Sequence, residues 1–320
     1  MNICRKILLL AVIAGVLPVL LGAQCSGNAA ATQQAAPYLF PFDKDHAWAD
    51  LKQQVAFGYR IPGTEAHRTT CAWLVEQLHQ SAAVVAKQEF THKLGGREVH
   101  MWNIIATLPG AGEGPHERVV LVAHWDTRPT ADQDPNPENR KKPIQGASDG
   151  ASGVAVLLEI ARQLKAHPIS RDVVILLVDG EDYGPGVEDM LLGAKYYAAH
   201  LPAKKPDWGV LLDMVGDKDL DIYREPNSDR LAKPVNDRLF RAAREMGYLR
   251  VAGNPGFIDA PYKYEITDDH IPFNNAGVPM ADLIDFNYPA WHTLADTPDQ
   301  CSADSLNVVG KTILYALQLP

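Results

Sequence analysis

Four short, uninterrupted apolar runs constrain the fold more strongly than any other feature of this sequence. They are Val119–Ala123, Val173–Val178, Val210–Leu212 and Met280–Ile284. Because a strand with one face in solvent alternates apolar and polar residues, these runs predict strands buried on both faces of a largely parallel sheet. Helices are predicted over Ser152–Ala166, Gly193–His200, Pro234–Met246 and Ala303–Leu317. Strand and helix alternate, which predicts an α/β fold in three layers.

The segment before these runs adds two helices and two strands to the prediction. Apolar residues at helical spacing indicate helices over Asp43–Phe57 and Thr64–His79. Alternating or continuous apolar residues indicate strands over Val84–Phe90 and Val99–Leu108. The chain has 320 residues, of which 46% are hydrophobic, enough for one large core without several domains. We therefore expect residues 37–320 to form a single domain.

The N-terminus has the features of a secretion signal. Two basic residues precede the apolar run Ile7–Leu21, which is shorter than the ~20 residues that a membrane-spanning helix requires. We interpret residues 1–25 as a signal peptide and the small, polar residues 26–36 as a flexible tether, so the mature protein would be periplasmic or secreted. Alternatively, Cys25 is a lipidated first residue. No other apolar run predicts an integral membrane span.

Charge and cysteine content argue against two kinds of site. The formal net charge is -9 at pH 7, and an acidic surface does not favour binding to nucleic acid phosphates. The two cysteines outside the leader, Cys71 and Cys301, lack the close spacing of a cysteine zinc site. In an exported protein they predict a disulfide, and the alternative is two unpaired buried thiols. We expect the protein to be a monomer.

Polar residues follow the buried runs at the points where parallel strands would end. They are His124 and Asp126 after the first run, Asp179, Glu181 and Asp182 after the second, Asp213 after the third, His292 after the last, and Asp149 after a polar loop. Because the carboxyl ends of parallel strands meet at one edge of a sheet, these side chains are expected to share a cleft. Clustered buried carboxylates require a cation, and imidazole with carboxylate favours a catalytic zinc.

Each of these residues also has a structural interpretation. A single histidine is commonly a hydrogen-bonded structural residue, an aspartate before a helix is commonly an N-cap, and an acidic pair is commonly solvated. Their shared placement favours a site instead. A serine hydrolase is the chemical alternative, because Gly146–Gly150 fits the G-x-S-x-G motif. That motif should follow a buried strand, whereas the preceding Asn139–Pro143 is polar.

Motifs along the chain resemble, in order, the metal-site motifs of the zinc aminopeptidase superfamily. They are His124-Trp125-Asp126, Ser148-Asp149-Gly150, Asp179-Gly180-Glu181-Asp182, Leu212-Asp213 and His292-Thr293. Further segments are similar to the glutaminyl cyclases in particular, namely Phe57–Gly63, Leu211–Gly216, Asp268–Phe273 and Trp291–Thr293. The resemblance covers nearly the whole chain after the leader. It implies a three-layer α/β/α sandwich with a central mixed, mostly parallel sheet, forming a zinc-dependent catalytic domain.

The resemblance to glutaminyl cyclases also implies a role for each matched residue. The ligands of one zinc ion would be Asp149, Asp182 and His292. Glu181 would be the general acid and base, beside a hydrogen-bonded network that includes Asp213 and Asp268. Trp291 would form a wall of the substrate pocket. The implied reaction converts an N-terminal glutaminyl residue of a peptide to pyroglutamate and releases ammonia.

Two departures from the cyclase pattern affect this interpretation. Animal cyclases carry glutamate where this chain has Asp182, and they have a tryptophan soon after the acidic pair, which Tyr183–Met190 lacks. Tyr183 and Tyr288 are the candidates to replace that tryptophan at the pocket rim. The alternative activity is that of a secreted zinc aminopeptidase, in which His124 and Asp213 would complete a site for a second zinc. A receptor-like relative without enzymatic activity would show a degraded ligand set, and this set is intact.

Overall fold

A six-stranded sheet lies at the centre of the computed structural model, which describes residues 37–94, 96–251 and 254–320. The described residues form these strands, of which all but β6 and β7 belong to the central sheet: β1 (Val84–Leu94), β2 (Arg97–Leu108), β3 (Arg118–His124), β4 (Asp172–Val178), β5 (Trp208–Asp213), β6 (Asp221–Arg224), β7 (Gly256–Pro261) and β8 (Met280–Ile284). The order across the central sheet is β1-β2-β4-β3-β5-β8. Strands β4, β3, β5 and β8 pair in parallel with their neighbours in that order. Strand β2 pairs antiparallel with both β1 and β4. The predicted mixed, mostly parallel sheet is confirmed.

Helices connect the strands and cover the sheet. In the described part of the chain they are α1 (Lys44–Ala56), α2 (Glu65–His79), α3 (Ser152–Ala166), α4 (Leu192–Ala199), α5 (Pro226–Leu231), α6 (Lys233–Glu245), α7 (His270–Asn275) and α8 (Ala303–Ala316). Asp43 and Thr64 cap α1 and α2, because their side chains accept hydrogen bonds from first-turn amides. Pro234 lies in the first turn of α6, where its missing N–H leaves no hydrogen bond unmade.

Alternate residues of the central strands face two different helical layers. In β3, Val119 and Leu121 pack into the core formed with α1, α2, α3, α6 and α8. Val120 and Val122 pack on the opposite face, with residues of α4 and α7. All four side chains are 0% exposed. Because both faces of the strand are buried, the apolar run in the sequence is uninterrupted.

The elements β6, β7, α5 and α7 have no predictive pattern in the sequence. Strand β6 has four residues, of which only Ile222 is buried, and it pairs in parallel with β7 in a separate two-stranded sheet. The helices α5 and α7 have six residues each, too few for a periodic pattern to emerge. These short elements depend on tertiary packing for their stability.

The predicted disulfide between Cys71 and Cys301 is wrong, because within the described residues both thiols are free and buried. Cys71 lies within α2, whereas Cys301 ends the 3-10 turn Pro298–Gln300 and approaches Gly216. The alternative of two unpaired thiols is the one that holds. Burial raises the pKa of Cys71 to about 12, which makes this thiol unreactive at neutral pH.

The predicted signal peptide (residues 1–25) and tether (residues 26–36), with Cys25, lie outside the described residues. Within the described ranges, the helices are all too short or too polar to cross a membrane.

Candidate metal centre and active site

The residues predicted to share a cleft meet at the carboxyl edge of the sheet. Strand β3 ends at His124, β5 ends at Asp213, and β4 leads into the turn that carries Glu181 and Asp182. His292 lies after β8 and has a φ of 52°, in the left-handed region. Non-glycine residues are strained there, and such strain is found mainly at functional sites.

Asp149, Asp182 and His292 form what we call the first ligand group. His292 Nε2 lies 3.6 Å from Asp149 Oδ2 and 3.4 Å from Asp182 Oδ2. Both carboxylate oxygens are buried and have no hydrogen-bond partner in the described part of the chain. Since buried polar atoms are nearly always hydrogen-bonded, two unpartnered oxygens facing a ring nitrogen fit a bound cation. Asp149 is not a helix cap, because Ala151 occupies the N-cap position of α3.

His124, Asp149 and Asp213 form a second ligand group, which shares Asp149 with the first. His124 Nε2 lies 3.0 Å from Asp213 Oδ1 and 3.2 Å from Asp149 Oδ1. Asp149 therefore faces one group with each of its oxygens. The second group differs from the first in one respect, since His124 and Asp213 are already hydrogen-bonded to each other.

The electrostatics of the cleft favour a bound cation. Burial and then the charge of Asp182 raise the pKa of Glu181 well above its ordinary value, and burial and then Asp213 do the same for Asp268. Burial opposes protonation of His292, but Asp182 and other neighbouring carboxylates outweigh it and raise the pKa of His292 to about 10. These shifts share one cause, an excess of buried negative charge, which a divalent cation would neutralise.

Asp126 holds the acidic pair in place through the backbone. Its Oδ1 accepts a hydrogen bond from the Glu181 amide at 3.1 Å, and its Oδ2 accepts one from the Asp182 amide at 3.3 Å. Asp126 Oδ1 also lies 3.6 Å from His124 Nδ1. Asp126 is fully buried, and it connects the turn after β3 to the turn after β4.

Asp296 supports the first ligand group and has no distinguishing pattern in the sequence. Its Oδ1 accepts hydrogen bonds from the Ser148 amide at 2.9 Å and from the Tyr288 hydroxyl at 2.7 Å. Its Oδ2 accepts one from the Asp149 amide at 3.2 Å. Asp296 lies four residues after His292, so it ties together the two segments that carry these ligands.

Arg60 is a further supporting residue, and its guanidinium is fully buried. It donates hydrogen bonds to the carbonyl oxygens of Trp125 at 3.0 Å, Gln145 at 3.0 Å and Gly146 at 2.7 Å. Arg60 therefore joins the turn after β3 to the loop that leads to Asp149. It lies in the Phe57–Gly63 segment, whose resemblance to the cyclases was the one sequence signal available for it.

Asp179 belongs to the support of the cleft and not to either ligand group. Its carboxylate accepts a hydrogen bond from the Trp102 amide at 2.8 Å and lies 2.9 Å from His67 Nε2. The His67 ring stacks on the indole of Trp125, with 4.4 Å between ring centroids. Asp179 thus anchors the start of the turn that carries Glu181.

A cavity of about 180 Å³ opens beside the first ligand group. Its lining includes both ligand carboxylates and His292, together with Glu181, Asp213, Asp268 and Trp291. Phe286 and Ile266 add apolar surface. The catalytic candidates and the predicted Trp291 wall therefore line one cavity, although Asp213 is hydrogen-bonded to His124 and not to Asp268.

Neither tyrosine proposed for the rim reaches this cavity. Tyr288 is buried behind it, where its hydroxyl is bonded to Asp296, so its assignment as a pocket residue is corrected to a supporting one. Tyr183 turns away and packs against Phe90, Met101 and Leu192. The hydrogen bond to Asp296 fixes the position of Tyr288, and the apolar contacts fix that of Tyr183.

The fold and the site together define a protein of the zinc aminopeptidase-like class. Residues 103–317 match the sequence profile of Peptidase family M28, and the chain belongs to that family.

Solved structures with this fold match nearly the whole chain. A leucine aminopeptidase precursor from Bacteroides thetaiotaomicron is 33% identical, with a TM-score of 0.81, over 89% of this chain and 100% of that one. The glutaminyl cyclase of Bacteroides thetaiotaomicron is 33% identical, with a TM-score of 0.80, over 88% of this chain and 99% of that one. The glutaminyl-peptide cyclotransferase of Drosophila melanogaster is 29% identical over 81% of this chain and 77% of its own length.

Proposed function

We propose that this protein is a zinc-dependent glutaminyl-peptide cyclotransferase. The observation that carries the proposal is that Glu181 and the first ligand group line one small cavity beside Trp291. A volume of about 180 Å³ suits a single amino-acid side chain and its α-amino group. The likeness to glutaminyl cyclases in sequence and structure over most of the chain supports the same activity.

Asp149, Asp182 and His292 would hold the zinc ion. Two carboxylates and one imidazole form a donor set that leaves a fourth position open for substrate. When bound, zinc would act as a Lewis acid that polarises the side-chain amide carbonyl of the substrate.

Glu181 would move the proton during the reaction. The substrate α-amino nitrogen attacks the side-chain amide carbon, a C–N bond forms, and Glu181 accepts a proton from that nitrogen. Glu181 then donates the proton to the amide nitrogen, the original C–N bond breaks, and ammonia leaves. Both reacting groups belong to one residue, so the entropic cost of bringing them together is already small. The cavity walls, including Trp291, would hold the side chain in the folded-back conformation that the attack requires.

One zinc ion is sufficient for this chemistry. In the first ligand group, two carboxylate oxygens lack hydrogen-bond partners within the described residues. In the second group, His124 and Asp213 satisfy each other. A zinc aminopeptidase remains the second candidate, because the second group could hold another ion after that hydrogen bond breaks.

Product analysis tests the choice between the two activities. Purified protein is incubated with a peptide that begins with glutamine and with amino-acid anilides. A cyclotransferase releases ammonia and leaves a pyroglutamyl peptide of unchanged sequence, as measured by mass spectrometry. Release of free amino acids without a pyroglutamyl product would show that the aminopeptidase assignment is correct.

The leader and tether support export to the periplasm or the extracellular space. The N-terminus of the mature protein, determined by mass spectrometry, distinguishes cleavage after a signal peptide from lipidation at Cys25.

A further inference from the structure

Arg128 contacts the first ligand group but does not line the cavity. Its Nη1 donates a hydrogen bond to Asp182 Oδ1, and its Nε donates one to Asp132 Oδ1 at 2.6 Å. The Arg128 side chain is only 8% exposed, so this charge is largely shielded from water. The same Asp132 oxygen lies 3.3 Å from His292 Nδ1. One arginine and one aspartate thus link two of the three proposed zinc ligands.

This contact gives the two oxygens of Asp182 different functions. Arg128 occupies Oδ1, while Oδ2 faces His292 Nε2 at 3.4 Å and has no partner among the described residues. The carboxylate is therefore oriented before a metal arrives. A fixed positive charge also lies next to the ligand, where it repels a divalent cation and withdraws electron density from the carboxylate.

We propose that Arg128 is a positioning residue that lowers the affinity of the centre for zinc and raises the Lewis acidity of the bound ion. The proposal rests on the zinc site of the proposed function. Without metal, Arg128 balances the buried charge of Asp182 and keeps its Oδ2 directed at the site. With metal bound, the hydrogen bond from Arg128 would draw electron density from the Asp182 carboxylate, so the carboxylate would donate less electron density to the ion.

Asp132 acts on His292 in the opposite sense. The Asp132 carboxylate, 3.3 Å from His292 Nδ1, favours a proton on that nitrogen, which leaves Nε2 free for the metal. Its negative charge also makes the imidazole a stronger donor. Removing Asp132 should therefore weaken zinc binding, whereas removing Arg128 should strengthen it. A purely structural function of the two residues would weaken binding in both variants.

The test compares the zinc affinity of the full chain and its variants by competition with a chromophoric chelator. Arg128→Met should bind zinc at least about tenfold more tightly, because a unit charge next to the dication is removed. Arg128→Lys keeps the charge and should stay close to wild type. Asp132→Asn should bind zinc about tenfold or more weakly, because the negative charge beside the His292 ligand is removed. Arg140→Met is the matched control, since Arg140 lies in the same loop and its side chain, among the described residues, bonds only to the Asp134 carbonyl.

A second measurement keeps the proposal testable if a variant is less stable. Metal-free Arg128→Met leaves Asp182 buried without its cation, so zinc should raise its melting temperature more than it raises that of wild type. The proposal is overturned if Arg128→Met binds zinc no more tightly than wild type, or if Arg128→Lys matches Arg128→Met. If wild type and His292→Ala bind zinc equally, the proposed zinc site itself is wrong, which is a separate result.

Discussion

A buried carboxylate can bind a metal ion only through an oxygen that is not already hydrogen-bonded within the protein. Both oxygens of Asp126 accept backbone hydrogen bonds, so this residue can only support the site. Asp149 and Asp182 each keep one unpartnered oxygen within the described residues and can act as ligands. Glu181 is 8% exposed and reaches the cavity, which leaves it free to exchange a proton.

Glu181→Gln should retain zinc and the fold but lose most of its activity. Gln cannot accept the amine proton, and general acid–base catalysis typically contributes ~10²–10⁴-fold to the rate. Ammonia release from an N-terminal glutaminyl peptide gives kcat, and elemental analysis gives the zinc content. Glu188→Gln, an exposed change seven residues along the chain, is the matched control and should keep the wild-type rate. Full activity of Glu181→Gln would exclude Glu181 as the base.

Asp126→Asn should impair the site through the geometry of the acidic pair. An amide offers only one oxygen, so one of the two backbone amides of Glu181 and Asp182 would lose its acceptor. Substitution of a residue that orients ligands typically costs ~10–100-fold in metal affinity or activity. Zinc affinity and kcat measured on the same preparation check this. Unchanged values for both would mean that Asp126 does not orient the pair.

Close packing between elements also determines where the ligands lie. Helix α3 begins three residues after Asp149, and its Gly153 lies against the end of β5. A β-carbon at Gly153 would overlap the carbonyl oxygen of Leu212 and come within 3.0 Å of the Ala123 β-carbon. The absence of a side chain thus lets α3 approach the two strands that end at His124 and Asp213.

Gly153→Ala should destabilise the protein, although alanine favours a helix by ~1 kcal/mol over glycine. Overpacking a close contact typically costs ~1–3 kcal/mol, and the contacted atom belongs to the backbone and cannot rotate away. Urea unfolding of the metal-free protein gives the change in free energy of unfolding. A stabilised variant would show that helix propensity outweighs the contact.

Asp285 lies where the two sheets meet and should make the stability of the protein depend on pH. It follows β8 and accepts a hydrogen bond from the Asp221 amide of β6 at 2.8 Å. Burial raises the pKa of Asp285 from 3.8 to about 7. The folded state therefore holds a proton that the unfolded state releases, so this group's contribution falls as pH rises from about 4 to about 7. In Asp285→Asn, urea unfolding should depend less on pH across that range; an unchanged pH dependence would contradict the assignment.

At the scale of the whole molecule, the proposed zinc centre joins residues that are far apart in the sequence. Its ligands run from Asp149 to His292, on segments that the sheet brings to one edge. The repulsion among the buried carboxylates is a cost that the packed core must offset when no cation is bound. A metal that binds only the folded state should therefore stabilise the entire domain.

Removal of metal with a strong chelator should abolish activity and lower the melting temperature, and added zinc should restore both. At a free zinc concentration of 100 times its Kd, binding stabilises the folded state by ~2.7 kcal/mol. Differential scanning calorimetry with and without zinc measures the shift, and His292→Ala should show a much smaller one. A fully active preparation that contains no transition metal would contradict zinc dependence.

The layered α/β fold could be predicted from the sequence because each central strand carries its own evidence. A run such as Val119–Ala123 has one low-energy environment, a strand buried on both faces, wherever it lies in the chain. The meeting of His124, Asp213 and the turn of Glu181 at one edge could be predicted for a related reason, since the carboxyl ends of parallel strands lie together. Their identities and functions additionally required the resemblance to known families.

Only the tertiary structure decided which residues support the site and which thiols and tyrosines lie apart from it. Asp296 and Arg128 act through partners distant in the chain, and a hydrogen bond between distant residues leaves no local periodicity or spacing. The same reason explains the free Cys71 and Cys301 and the inward hydroxyl of Tyr288. Local patterns record how each segment is buried, whereas the pairing of particular atoms is fixed only when the segments pack together.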